Sequence, residues 1–189
     1  MGKRITELDT EEFGRLFTSF EHTAYRLETL QRYDVAHERE SFAAFLAGHP
    51  VSRESKSEWV GVITDAVQAG KTMRRVHVVT EPLTDYLRFE MASYRWNWEA
   101  GEDIRILPVT EWPDLPRRDY WLFDSRDLWA MEYDDDGRFL HAEQVDDAAE
   151  VVRSNYWRDK ALSLAMPYPD YMRSRPGAGE APPASRASS

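Results

Sequence analysis

The sequence predicts a mixed α/β domain, and three observations predict it. Apolar residues recur at helical spacing in several segments, as in Phe13, Leu16, Phe17 and Phe20. Two runs rich in β-branched residues, 73–80 (MRRVHVVT) and 103–109 (DIRILPV), flank one long helical stripe, the order of a β–α–β unit. Three short strand-like segments joined by turn chemistry follow, which reads as an antiparallel meander.

Taken in chain order, Asp9 to Phe20 reads as the first helix, with Asp9 as N-cap and Glu12 completing a capping box. From His22 to Val35, Tyr25, Leu27 and Thr29 alternate with Arg26, Glu28 and Leu30, which favours a strand. Glu38 to Ala47 returns to a helical pattern, with Phe42, Phe45 and Leu46 on one face and Gly48 as its stop. Ser57 to Ala69 is the next helix, its buried face drawn by Trp59, Val62, Ile63 and Val67, and Gly70 closes it.

Met73 to Thr80 then reads as a buried strand. Pro82 opens the long helix, whose stripe is Leu83, Leu87, Met91, Tyr94 and Trp98. Gly101 ends it before the strand 103–109. Trp96 points off that stripe, which suits either a partner surface or, preferably, packing under the Pro-rich connector 111–118. The meander strands are Tyr120 to Asp124, Leu128 to Tyr133 and Phe139 to Glu143. A last helix, capped by Asp146 or Asp147, runs to Ala165, where Pro167 and Pro169 stop it. The folded unit spans residues 5–172, and the Gly/Pro/Ala/Ser stretch 174–189 reads as a disordered tail.

Composition narrows the function classes. The 189 residues include seven Trp, nine Tyr and eight Phe, enough apolar area for a core. No run approaches the ~18 apolar residues a membrane helix needs. The N-terminus turns acidic before any apolar signal region, so a cytoplasmic location is expected, with no membrane partner. Cysteine is absent, which removes disulfides and thiolate chemistry. The net charge of −10 argues against direct nucleic-acid binding.

Motifs for known chemistries are sparse. Glu132, Asp134, Asp136, Gly137 and Glu143 have the spacing of a calcium loop, but the flanks read as strands and a hairpin is preferred. The five His are isolated from one another, so no metal site is expected. Phosphate-loop, dinucleotide and nucleophile-elbow patterns are missing, and neither a catalytic residue nor a cofactor is assigned. What stands out is charge inside apolar segments: Arg26 and Glu28 on the first strand, Arg75 on the second, Arg105 on the third. Such residues form either an ion-pair lattice or a polar pocket at the carboxyl ends of the strands. In the pocket reading, Arg26, Glu28, Arg75, Glu81, Arg105, Trp121 and Asp124 line a site for an anionic or phosphorylated small molecule.

Several stretches carry a family resemblance: TAYRLE (23–28), FLAG (45–48), RVHVVTEPLTDYLRFE (75–90), AGEDIR (100–105) and DYWLFD (119–124). Together they resemble an actinobacterial domain family of unknown function, often encoded beside XRE-like helix-turn-helix regulators, over residues 10–172. The resemblance implies a regulatory or protein-interaction role with such a regulator. The run 75–145 also resembles, in architecture, half of a phospholipase-D-like fold. The His-x-Lys pair of its active members is absent, which leaves Asp124 as the one possible match and implies no phosphodiester hydrolysis by that route. Two readings result: a non-enzymatic interaction domain, which is preferred, and an anion-binding or enzymatic pocket.

Overall fold

A single mixed sheet organises the chain, with helices on both of its faces. The computed structural model describes residues 2–175. The elements are β1 (Arg4–Ile5), α1 (Glu11–Ser19), β2 (Thr23–Glu28), α2 (Arg39–Leu46), α3 (Ser57–Gln68), β3 (Thr72–Thr80), α4 (Asp85–Ala100), β4 (Asp103–Val109), β5 (Asp119–Phe123), β6 (Asp127–Tyr133), β7 (Phe139–Val145), α5 (Ala148–Leu164), β8 (Met166–Pro167) and α6 (Tyr168–Ser174). The eight strands lie in the order β1-β7-β6-β5-β2-β3-β4-β8. β3 is parallel to both β2 and β4, and every other neighbouring pair is antiparallel. The expected β–α–β unit is β3–α4–β4, and the expected meander is β5–β6–β7.

Strand alternation sorts the core into layers. On one face, Ala24, Met73, Trp121 and Trp129 pack with Phe17 of α1 and Ile63 of α3. Farther along that face, Val79, Ile104 and Ile106 meet Leu87, Met91, Tyr94 and Trp98 of α4, with Tyr168 and Tyr171 of α6. The opposite face carries Tyr25, Leu27, Val76, Val78, Tyr120 and Leu122 against Ala161 of α5. The first central strand is therefore covered on both sides, and its simple in–out alternation of polarity does not mark a solvent face: Arg26 and Glu28 are buried too.

Several local expectations need correction. Thr10, not Asp9, caps α1; its Oγ1 accepts the Phe13 N–H at 3.2 Å. Pro82 lies before α4 instead of inside its first turn, and Thr84 is the cap, accepting the Leu87 N–H at 3.1 Å. Leu46 and Val67 stay 54% and 38% exposed; α2 packs on α4 through Phe42 and Phe45, which meet Tyr86 and Phe89. Trp96 donates its indole N–H to the Val51 carbonyl at 3.2 Å, so it packs against the loop before α3. α5 ends at Leu164 with Ala165 as its cap, ahead of Pro167 as expected, but a further helix follows: Pro169 sits in the first turn of α6, where a missing N–H costs nothing. Ser174 accordingly ends α6, and the predicted tail lies outside the described residues from residue 176 on.

Two glycines are required by geometry. Gly101 ends α4 at φ +116°, and an added Cβ would lie 2.8 Å from Val67 Cγ2. Gly137 turns the β6–β7 hairpin at φ +80°, with the Arg32 carbonyl 2.5 Å from where a Cβ would stand. The acidic run with calcium-loop spacing is this hairpin. Asp134 Oδ1 accepts the N–H groups of Asp136 at 3.0 Å and Arg138 at 2.9 Å, a turn satisfied by its own backbone.

Candidate functional site: a buried ionic layer

Between the two apolar patches under α1–α4 runs a band of charge. The parallel register sets Arg26 beside Arg75 and Glu28 beside His77, and the antiparallel register sets Trp121 on the far side of Arg26. Residues two apart on a strand share a face, so these side chains all point at the helices. Two adjacent guanidiniums would repel, and Glu28 resolves the conflict. Its Oε1 accepts Arg26 Nε at 3.3 Å and its Oε2 accepts Arg75 Nη1 at 2.9 Å.

Each arginine has a second carboxylate. Glu102, fully buried just before β4, takes Arg75 Nε at 2.9 Å. Asp119, at the start of β5, takes Arg26 Nη2 at 3.3 Å. Asp119 also accepts the N–H and hydroxyl of Thr29 at 2.8 and 2.9 Å and the Tyr33 hydroxyl at 2.6 Å. Tyr94 of α4 donates to Glu28 Oε2 at 2.9 Å, and its oxygen lies 2.8 Å from His77 Nδ1. The other ring nitrogen of His77 lies 2.9 Å from the Leu30 carbonyl.

Burial works against every charge in this layer, and neighbours decide the outcome. Burial would raise Glu28, yet Arg75 and Arg26 override it and hold the carboxyl well below its ordinary range. Burial opposes the Arg26 charge, but Tyr133, Glu28 and Asp119 more than restore it. Asp119 is pushed up by burial, only partly countered by Arg26. A second knot lies beyond Tyr94. Lys56 pairs with Glu38 and stands 3.8 Å from Glu90, and Tyr86 donates to Glu38 at 2.9 Å. Burial, with Glu38 as a like charge, pushes Glu90 up to about 8.

Of the seven residues singled out by sequence, the fold brings Arg26, Glu28, Arg75 and Trp121 together. Trp121 acts there as core: its ring centroid is 4.9 Å from that of Phe17, with the Arg26 guanidinium 5.2 Å from its own. The other three lie elsewhere. Glu81 is surface-exposed beside α6, accepting from Tyr171 at 2.6 Å and from Arg175. Arg105 is on the α5 side of the sheet, 3.4 Å from both Asp103 and the Leu162 carbonyl. Asp124 sits at the opposite end of β5, where it accepts the N–H groups of Glu21, His22 and Thr23 at 2.8, 2.7 and 2.9 Å. Period-two reading of β3 would have added His77 to Arg75, since both follow Met73 on one face. Lys56, Glu38 and Asp119 come from distant segments, and no local pattern announces them.

Each arginine of the layer is engaged by two carboxylates. A hollow beside the β6–β7 hairpin is lined by Leu30, Gln31, Arg32, Tyr133, Asp134, Asp135, Asp136 and Gly137. Among the described residues no group of three or more His, Asp or Glu is placed to hold a metal ion. No described helix is long and apolar enough to cross a membrane.

No curated protein matches the sequence. A family match does exist, and it spans nearly all the described elements, from the start of α1 into α6. Over residues 11–173 the chain belongs to the family described as Domain of unknown function (DUF6879).

Proposed function

We propose that the chain is a non-enzymatic interaction domain that works with a helix-turn-helix regulator. The observation that carries this reading is the saturation of Arg26 and Arg75: each is held by two carboxylates inside the fold. An anionic ligand at these arginines would have to displace Glu28, Glu102 or Asp119 and leave a carboxylate buried without its cation, which is costly. The sequence also lacks a His-x-Lys pair and any cysteine nucleophile. Its net charge of −10 suits a basic partner such as a DNA-binding protein.

A thermal-shift series tests this. The purified domain is melted alone, with nucleotides and phosphorylated metabolites, and with a helix-turn-helix regulator. Native-state binding raises the midpoint by mass action. A shift with the regulator alone, weakened by salt, is expected. A shift with a phosphorylated small molecule that Arg75→Ala abolishes would overturn the proposal in favour of the anion pocket.

A further inference from the structure

The long helix α5 (Ala148–Leu164) buries little of itself: Ser154 and Ala161 are its buried residues. Its inner side is fixed to the sheet. Tyr120 donates its hydroxyl to the Ser154 carbonyl at 2.9 Å, and Val151, Trp157 and Leu162 pack half-buried against the apolar cluster there. Its outer side is not the polar surface that a solvated helix presents. Val152 and Tyr156 are 70% and 56% exposed. Ala149 and Ser163, also exposed, continue the same line, because positions 149, 152, 156 and 163 recur at helical spacing. One exposed apolar side chain is ordinary, but a stripe along a helix marks a contact surface.

We propose that this stripe docks a second copy of the chain, α5 against α5 and antiparallel, with the two-fold axis passing Tyr156. The charges beside the stripe select this occupant. A two-fold axis at Tyr156 sets each residue before it against the residue equally far after it in the other copy. Arg153 and Asp159 are such a pair, and they flank the stripe on opposite sides, about 60° from Tyr156 at 3.6 residues per turn. Each Arg153 therefore meets Asp159 of the other copy, and the ion pair forms twice. A parallel pairing would instead set like charge against like. Arg153 is exposed, lies over the Trp157 ring at 5.9 Å from its centroid, and has no carboxylate partner among the described residues. Asp159 is exposed too, with Arg158 Nε 2.8 Å from its Oδ1.

Packing agrees with the charges. The same operation brings the two Tyr156 rings together on the axis and sets Ala149 against Ser163 of the other copy, small side chains that let the helices approach. Val152 meets Lys160 of the other copy. The Lys160 ammonium is held by Asp114 at 2.9 Å and lies 5.7 Å from the Tyr156 ring centroid, so its methylene stem runs beside the stripe. The net charge of −10 does not repel at this face, where Arg153 and Lys160 stand with Asp159 and the acidic surplus lies elsewhere. The stripe is on the side of the sheet away from Arg26 and Arg75, so the inference goes beyond the regulator reading and does not depend on it.

Sedimentation velocity on the full chain, across a concentration series, tests this. The unaltered chain should pass from one copy to two as concentration rises, and Tyr156→Glu should abolish the larger species. Arg153→Asp and Asp159→Arg should each raise the dimer dissociation constant by about tenfold or more, because like charges then face each other across the interface. The two reversals combined restore opposite charges and should recover the dimer. All three side chains are exposed, and circular dichroism checks that each variant folds. A chain that stays monomeric at every concentration overturns the proposal; if its thermal shift with a helix-turn-helix regulator is then lost in Tyr156→Glu, the stripe belongs to that partner instead. A dimer that both single reversals leave intact overturns it as well. Failure of the combined variant to recover the dimer overturns the antiparallel register.

Discussion

Glu28 on β2 reaches Arg75 on β3 across 2.9 Å and so ties together two strands whose charged residues lie 47 positions apart in the chain. The same carboxylate holds Arg26, so one side chain neutralises two buried guanidiniums. Removing it leaves charge without compensation, whereas removing a surface partner leaves water to take its place. Glu28→Gln should therefore destabilise the domain by about 3–5 kcal/mol, the range for breaking a buried pair. Urea unfolding measures this. Combining it with Arg75→Gln should cost less than the sum of the two single changes, because the second removes the charge that the first orphans.

Arg105→Ala provides the contrast. Its side chain is one-third exposed, and its polar contacts are long at 3.4 Å. A change of about 1 kcal/mol or less is expected in the same unfolding experiment. A loss matching that of Glu28→Gln would show that the α5 face depends on this residue more than its geometry indicates.

Glu90 makes stability depend on pH. Its folded value is about 8, against an ordinary 4.5. Below the ordinary value both folded and unfolded chains hold the proton. Between the two values the unfolded chain has released it and the folded chain has not, so stability falls as pH rises through this window. Above the folded value the loss levels off. Glu90→Gln should flatten this part of the profile and raise stability at about pH 8 by on the order of a few kcal/mol. Chemical denaturation across the window measures both.

Asp124 works through the backbone. Burial opposes its charge most, but the N–H groups of Glu21, Thr23 and His22, with Arg126, together outweigh it and lower its pKa. The resulting stabilisation is present above the unfolded value and lost as pH falls through the folded one. Asp124→Ala should cost about 1–3 kcal/mol by leaving three N–H groups at the start of β2 without their acceptor. Thermal melts near neutral pH, where the contribution is complete, show the difference best.

Gly137→Ala should be costly for a different reason. The residue adopts φ +80°, and the new methyl would stand 2.5 Å from the Arg32 carbonyl. The hairpin and the segment 29–34 would have to part, at a cost of about 1–3 kcal/mol. Hydrogen exchange should then rise at the Asp34 N–H, which bonds the Gly137 carbonyl.

Most of the element order was legible because it rests on local periodicity. Leu87, Met91, Tyr94 and Trp98 are buried along one face of α4, as helical spacing requires, and Leu83, just ahead of its cap, is buried with them. β1 and β8 escaped notice because two residues are too few to show a period. α6 was hidden because Pro169 was read only as part of the stop after α5, although proline is equally at home where a helix begins. In the candidate site, Arg26, Glu28 and Arg75 were visible as charges set among apolar neighbours. Glu81, Arg105 and Asp124 looked equivalent to them, because sequence proximity to a strand end does not say which face or which end a side chain serves.

By itself, the sequence determined the class of fold, the β–α–β unit, the meander and the presence of charge where a core was forming. Those features depend on neighbours within a few residues. Tertiary structure alone decided that β2 inserts between β5 and β3, and that insertion places Arg26 beside Arg75. It also decided which carboxylates meet them: Asp119 and Glu102 arrive from segments 93 and 27 residues away from their arginines. A buried charge is stable only with its partner in place, and partners so distant in the chain are brought together by the sheet's register, which no local pattern encodes.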